Sequence, residues 1–129
     1  MKVAVDVRPL MPPLTGIGRY TYELLQRLVQ GEHEWYLYSS VPLSYDFVLR
    51  SNVTVNVMPF AGSLPGSSSI VSQLIYPVWA KRHDIDVFWS PRHHLPLMLS
   101  CDIPSVLTIH DLVWMYVPET MSKRGKMIE

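Results

Sequence analysis

The sequence predicts an α/β domain in which a parallel sheet carries helices on both faces, and three observations predict it. Short apolar runs rich in β-branched and aromatic residues read as strands buried on both faces. Segments of helical period separate them, and polar residues gather just past the last residue of the strands. Strands that alternate with helices call for crossover connections, which are right-handed, so the parallel sheet is the economical topology. Residues 1–129 fit one domain, because 48% hydrophobic residues exclude a disordered tail and the length leaves too little chain for a second core.

The first strand covers 2–7 and is ended by Arg8-Pro9. Pro12 and Pro13 then remove backbone donors, and Thr15-Gly16-Ile17-Gly18 supplies glycines for a tight turn, so a loop follows. From Ile17 the residues Ile17, Tyr20, Leu24 and Leu28 form one helical stripe, with Gly31 placed to stop it. Aromatic-rich 35–38 and alternating 53–58 read as strands, the second ended by Pro59, with a short helix over 44–50 between them. The Gly, Ser and Pro of 60–69 mark a mobile loop of a length that is often functional. A helix from about 68 to 82 carries Val71, Leu74, Ile75, Val78 and Trp79, and Pro77 should kink it or end it early. Segments 86–89 and 105–109 read as two more buried strands. The sum is a Rossmann-like half-sheet, whose ligand sits beyond the carboxyl ends of its strands.

Charge and composition exclude several classes. Lys+Arg 11 against Asp+Glu 11 gives no net charge, so the positive field needed to bind a nucleic-acid backbone is missing. The stretch 51–80 carries no charged residue, but Pro59, Gly62, Pro65, Gly66 and the serines 67–69 interrupt it well short of the ~20 apolar residues a spanning helix requires. The start reads as a strand rather than a signal peptide. Cys101 stands alone, which forbids an internal disulfide and agrees with a reducing cytoplasm. Lys123, Arg124 and Lys126 are ordinarily a solvated helix face; attraction to an anionic membrane surface, supported by Met121 and Met127, is the second reading.

The candidate site residues all follow strands. Gly16-Ile17-Gly18-Arg19 opens a helix, so free amides, the helix dipole and Arg19 suit a phosphate, although Thr21 occupies the third glycine's place in the dinucleotide pattern. The competing reading is a flexible helix start. His110-Asp111 puts an imidazole and a carboxylate at the cleft mouth, each able to bond a hydroxyl, unless Asp111 merely caps the next segment. Arg92, His93 and His94 read as a polar loop for a substrate or as solvated surface. A metal reading fails on them because consecutive residues of an extended segment point apart and no Cys or Glu set lies at ligand spacing. Trp79 and Trp89 read as core, whereas Trp114 is evenly divided between core and ligand.

Together these residues resemble a known family. Val3-Ala4-Val5-Asp6, the Thr15-Gly16-Ile17-Gly18-Arg19-Tyr20 turn with Leu24 and Leu25, Gln73 and Pro77, Asp86-Val87-Phe88, and Thr108-Ile109-His110-Asp111-Leu112 with Pro118 are similar, in order and spacing, to the amino-terminal domain of family 4 glycosyltransferases. The resemblance implies half of a glycosyltransferase-B fold. It implies transfer of a sugar, with retention, from a nucleotide-sugar to a glycan or lipid-linked acceptor, as in polysaccharide biosynthesis, with no catalytic metal and no cofactor beyond the donor substrate. It places His110 at the transferred sugar with Asp111 beside it as the catalytic pair. It also places Gly16 and Gly18 at the donor diphosphate, and Arg19, Arg92, His93 and His94 on the acceptor side.

On the same resemblance the carboxyl-terminal donor-binding domain is missing after Glu129, so the expected chain is a truncated, cytoplasmic domain, inactive alone and able to touch the inner face of a membrane. An uncovered interdomain face would drive homodimer formation or other self-association. A non-catalytic carbohydrate- or partner-binding module is the alternative. A nucleotide-dependent oxidoreductase fits less well, because Ser39-Ser40 stands where an acidic residue should end the second strand.

Overall fold

The structure, a computed structural model, describes residues 1–58, 67–99 and 102–111, with 67 and 68 by backbone only. Among them five strands, β1 (Lys2–Asp6), β2 (Glu34–Ser39), β3 (Val53–Val57), β4 (Val87–Ser90) and β5 (Ser105–Leu107), form one sheet. Every pairing is parallel and the order is β3-β2-β1-β4-β5, a Rossmann-like arrangement. Two helices, α1 (Gly16–Leu28) and α2 (Ser67–Arg82), cover it. The pleat of β1 sorts its residues between them. Val3 and Val5 join Leu37 and Trp89 against Leu25 and Val29 at the end of α1. Ala4 joins Tyr38 and Phe88 against Tyr76 and Ala80 of α2 on the other face.

Both helices are rotated relative to their predicted apolar stripes, so that part of each stripe packs against the core and part faces outward. In α1 the buried line is Gly18, Thr21 and Leu25, while Tyr20 and Leu28 are 39% and 43% exposed. The cause is Gly18: a Cβ there would stand 2.3 Å from the Pro9 carbonyl oxygen, so the helix seats this side-chain-free position on that carbonyl and rotates accordingly. The buried Thr21 hydroxyl is satisfied within the helix by the Ile17 carbonyl at 2.8 Å. In α2 the buried line is Ser72, Tyr76 and Ala80; Val71, Ile75 and Trp79 of the predicted stripe pack against the core beside it, and Leu74 and Val78 face outward. Pro77 does not end α2, which runs on to Arg82, because Tyr76 and Ala80 are packed on either side of the proline.

Two further expectations change. The helix expected over 44–50 is a 3-10 turn at Asp46–Leu49, anchored by buried Phe47. β5 is not a buried strand: all three of its residues are exposed, and among the described residues it pairs with β4 alone. The chain passes from α2 into β4 through a Schellman-type end, with Ile85 N–H on the Ala80 carbonyl at 3.0 Å and Asp84 N–H on Lys81 at 3.3 Å. Asp84 takes the left-handed conformation there, at φ 51°.

His83, at that same junction, couples the second core to pH. Its Nδ1 lies 3.1 Å from the buried Tyr38 hydroxyl and its ring stacks on Tyr36 at 4.8 Å. Burial first, then the charges of Arg82 and Lys2, lower its pKa from the ordinary 6.5. The folded chain therefore prefers neutral imidazole, and below that ordinary value the unfolded chain takes up the extra proton. Stability from this group is whole above the unfolded value and falls as the pH drops through it toward the folded one. Urea midpoints should decline between about pH 7.5 and 5.5, and His83→Gln should flatten part of that decline. An identical slope in the variant would remove His83 as its source.

Candidate functional site

The strand order creates a crevice. From β1 the chain steps outward to β2 and β3, then returns to pair β4 on the opposite side of β1, so the carboxyl ends of β1 and β4 are neighbours from which the connections diverge. Ligands of open α/β sheets bind at this switch point. Because all strands are parallel, the segments after β1, β4 and β5 meet at one edge.

The floor of that edge is a buried ion pair. Asp6, the last residue of β1, is 1% exposed and Arg8 is 8% exposed. Arg8 Nη2 donates to Asp6 Oδ2 at 2.6 Å, Nε reaches Oδ1 at 2.9 Å, and the Arg8 amide adds 3.2 Å to Oδ1. Arg8 Nη1 donates to Ser72 Oγ at 2.7 Å, and the Tyr76 hydroxyl lies 3.3 Å from Asp6 Oδ1 and 3.1 Å from the Tyr38 carbonyl. Burial alone would lower the Arg8 pKa, but the hydrogen bonds and charge of Asp6 outweigh it and leave it raised. Burial, then the Asp6 charge, pushes the Tyr76 hydroxyl far above the ordinary tyrosine range, so it stays a donor.

Above this floor, α1 begins. Thr15 is its cap, with Oγ1 accepting the Gly18 amide at 3.3 Å and its carbonyl accepting Arg19 N–H at 2.9 Å. The two glycines therefore differ. Gly18 spends its amide on the cap and its missing side chain on Pro9, whereas Gly16 is exposed with open space at its Cβ position. By helix geometry the Gly16 and Ile17 amides have no intrahelical acceptor. Arg8, Pro9, Met11, Thr15, Ile17 and Arg92 line an open cavity of about 230 Å³ there.

The loop after β4 is shaped by the Ser90 hydroxyl, within reach of the Arg92 carbonyl at 3.0 Å and the His94 carbonyl at 2.6 Å. It sends its two histidines apart. His93 reaches the segment after β5, where its Nε2 accepts the His110 amide at 3.1 Å, while His94 lines a separate opening with Arg8, Ser72 and Gln73 of the α2 side. His110 Nε2 lies 2.9 Å from the Pro91 carbonyl, which can only accept, so Nε2 carries the proton and Nδ1 is the nitrogen left for a ligand. Tyr20 packs edge-on against the same imidazole at 4.9 Å. Arg92 is half-buried, and burial first, then the Arg8 charge, lowers its pKa against the opposing pull of Asp6. Arg19 and Asp111 are exposed.

Of the sequence-derived candidates, His93 and His110 thus touch, Arg92 lines an opening together with the two neighbours of Gly16, His94 is diverted, and Gly18 is a packing position. Asp6, Arg8 and Tyr76 escaped sequence reasoning; the signal present was a charged Asp-x-Arg closing an apolar strand. Trp79 and Trp89 pack in the two cores, with Trp89 Nε1 donating to Thr108 Oγ1 at 3.0 Å. Trp114, Cys101, Lys123, Arg124 and Lys126 lie outside the described residues. Among the described residues no three His, Cys, Asp or Glu side chains gather where they could hold a metal, and no helix is long and apolar enough to cross a membrane. A larger cavity of about 520 Å³ opens beside the end of α2, away from the polar edge.

No protein-family model, curated protein or solved structure matches the chain. Fold and site define its class: a Rossmann-like α/β domain on a five-stranded parallel sheet, with a polar crevice at the switch point.

The glycines make a direct check. Gly18→Ala must push its methyl into a backbone oxygen and should cost about 1–3 kcal/mol of unfolding free energy. Gly16→Ala meets nothing and should stay within about 0.5 kcal/mol by the same denaturation measurement.

Proposed function

We propose that the chain is the acceptor-side domain of a retaining glycosyltransferase that uses a nucleotide-sugar donor and a glycan or lipid-linked acceptor. The observation that carries the reading is His110, an imidazole clamped at Nε2 by the Pro91 carbonyl with Nδ1 left for a ligand at the crevice edge. In its neutral form Nδ1 accepts a hydrogen bond from a sugar hydroxyl. His93 acts through it, holding its backbone amide, and Tyr20 limits how its ring can turn. Asp111 follows as the accompanying carboxylate.

The start of α1 supplies the second requirement. A departing nucleoside diphosphate gathers negative charge, and the amides of Gly16 and Ile17 with the helix dipole stabilise it without a metal. Gly18 serves this role indirectly, by letting α1 sit against Pro9. Arg19, Arg92 and the loop carrying His93 and His94 form the acceptor side.

The test uses the protein expressed from its complete gene. Incubation with UDP-, GDP- and ADP-sugars and a lipid and glycan extract should release nucleoside diphosphate, and His110→Ala should slow release about 10- to 100-fold, the worth of one hydrogen bond in the transition state. Because His110 is exposed and its ring makes one hydrogen bond and one edge contact, the variant should lose no more than about 1–2 kcal/mol and stay folded at the assay temperature. No release from any nucleotide-sugar, or an unaltered rate in the variant, would overturn the reading.

A further inference from the structure

The crevice floor holds two guanidinium groups around one carboxylate. Asp6 is the acid whose charge both Arg8 and Arg92 experience, and its oxygens are already committed to the Arg8 side chain, the Arg8 amide and the Tyr76 hydroxyl. The Arg92 guanidinium makes no hydrogen bond or ion pair among the described residues, although the residue is half-buried. A planar guanidinium has five N–H donors, and removing it from water without an acceptor is costly. Burial first, and then the charge of Arg8, lower the Arg92 pKa, and the charges of Asp6 and Tyr76 offset only part of that.

Arg92 faces the cavity of about 230 Å³ whose other walls are Arg8, Pro9, Met11, Thr15 and Ile17, two cations and no acid. We infer that this cavity is an oxyanion site, that its ligand is a phosphoryl group, and that Arg92 is the side chain that binds it. A tetrahedral anion accepts hydrogen bonds from several directions at once, which suits a cavity lined by Arg92 and by residues of the α1 start, where a carboxylate offers acceptors in one plane only. Arg8 completes the field from below while remaining tied to Asp6 and Ser72. The start of α1 adds to that field without itself making the site. The site stands on this geometry; only the assignment of the phosphoryl group to a donor or to an acceptor molecule rests on the glycosyltransferase reading.

Titration of the 129-residue chain with inorganic phosphate, followed by two-dimensional amide NMR, tests it. Saturable shifts should centre on Gly16, Ile17 and the residues around Arg92, and Arg92→Gln should weaken binding at least about tenfold while Arg82→Gln on α2 leaves it unchanged. Shifts that map elsewhere or never saturate would overturn the site even if the Arg92 variant does not fold, as would equal affinity in a folded Arg92→Gln. Repeating the titration with glucose 6-phosphate and with uridine diphosphate assigns the source: loss of the first in the variant marks an acceptor phosphate, loss of the second a donor phosphate, and loss of neither contradicts the proposal. Phosphate binding that needs Arg92 in a protein that transfers no sugar would uphold this site and remove the transferase reading. Transfer accompanied by phosphate binding indifferent to Arg92 would do the reverse.

Discussion

A carboxylate at the end of a central strand, 1% exposed, has to be fully satisfied or the strand cannot end there. Asp6 meets that demand with a guanidinium two residues on, a tyrosine from α2 and an amide of its own turn. Those bonds fix more than a charge. They set the path of the chain after β1, and Arg8 and Tyr76 tie that path to α2 on the opposite face from α1. Pro9, placed by the same turn, then presents the carbonyl against which Gly18 seats α1. The position of the helix start, and with it the crevice, depends on a charge pair buried one strand-end away.

The crevice owes its chemistry to topology as much as to sequence. Strands β1 and β4 are separated by more than half the chain yet lie side by side, so the α1 start and the Arg92-His93 loop face each other. The segment after β5 brings His110 to the same edge, where His93 and the Pro91 carbonyl determine which imidazole nitrogen is spent and which is left. Cations with little local acid, open amides and an oriented imidazole make an edge suited to anions that also carry hydroxyls.

Much of the sheet was legible because Val, Ala, Trp and Phe in short runs have few other ways to be buried, and Gly31 and Pro59 mark where elements stop. The helix faces were not. Ile17, Tyr20, Leu24 and Leu28 satisfy the helical period as well as the true contact line does, and the choice between them is made by one glycine meeting the carbonyl of Pro9 in the preceding loop. The site was legible as a set of polar strand ends but not as contacts. Nothing local reveals that Tyr76 caps an aspartate 70 residues earlier, or that His93 holds the backbone of His110. β5 read as buried because its composition is apolar, yet composition does not report what covers a strand.

The dependence on the Asp6–Arg8 pair is tested most directly by a double-mutant cycle with Asp6→Asn and Arg8→Met, each variant followed by urea unfolding. Removing one partner strands a buried charge, so Arg8→Met alone should cost about 3–5 kcal/mol, and the double variant should cost less than the sum of the two singles by more than about 1 kcal/mol. Strictly additive losses would mean that the two groups act independently, and the account of how β1 positions the crevice would fail.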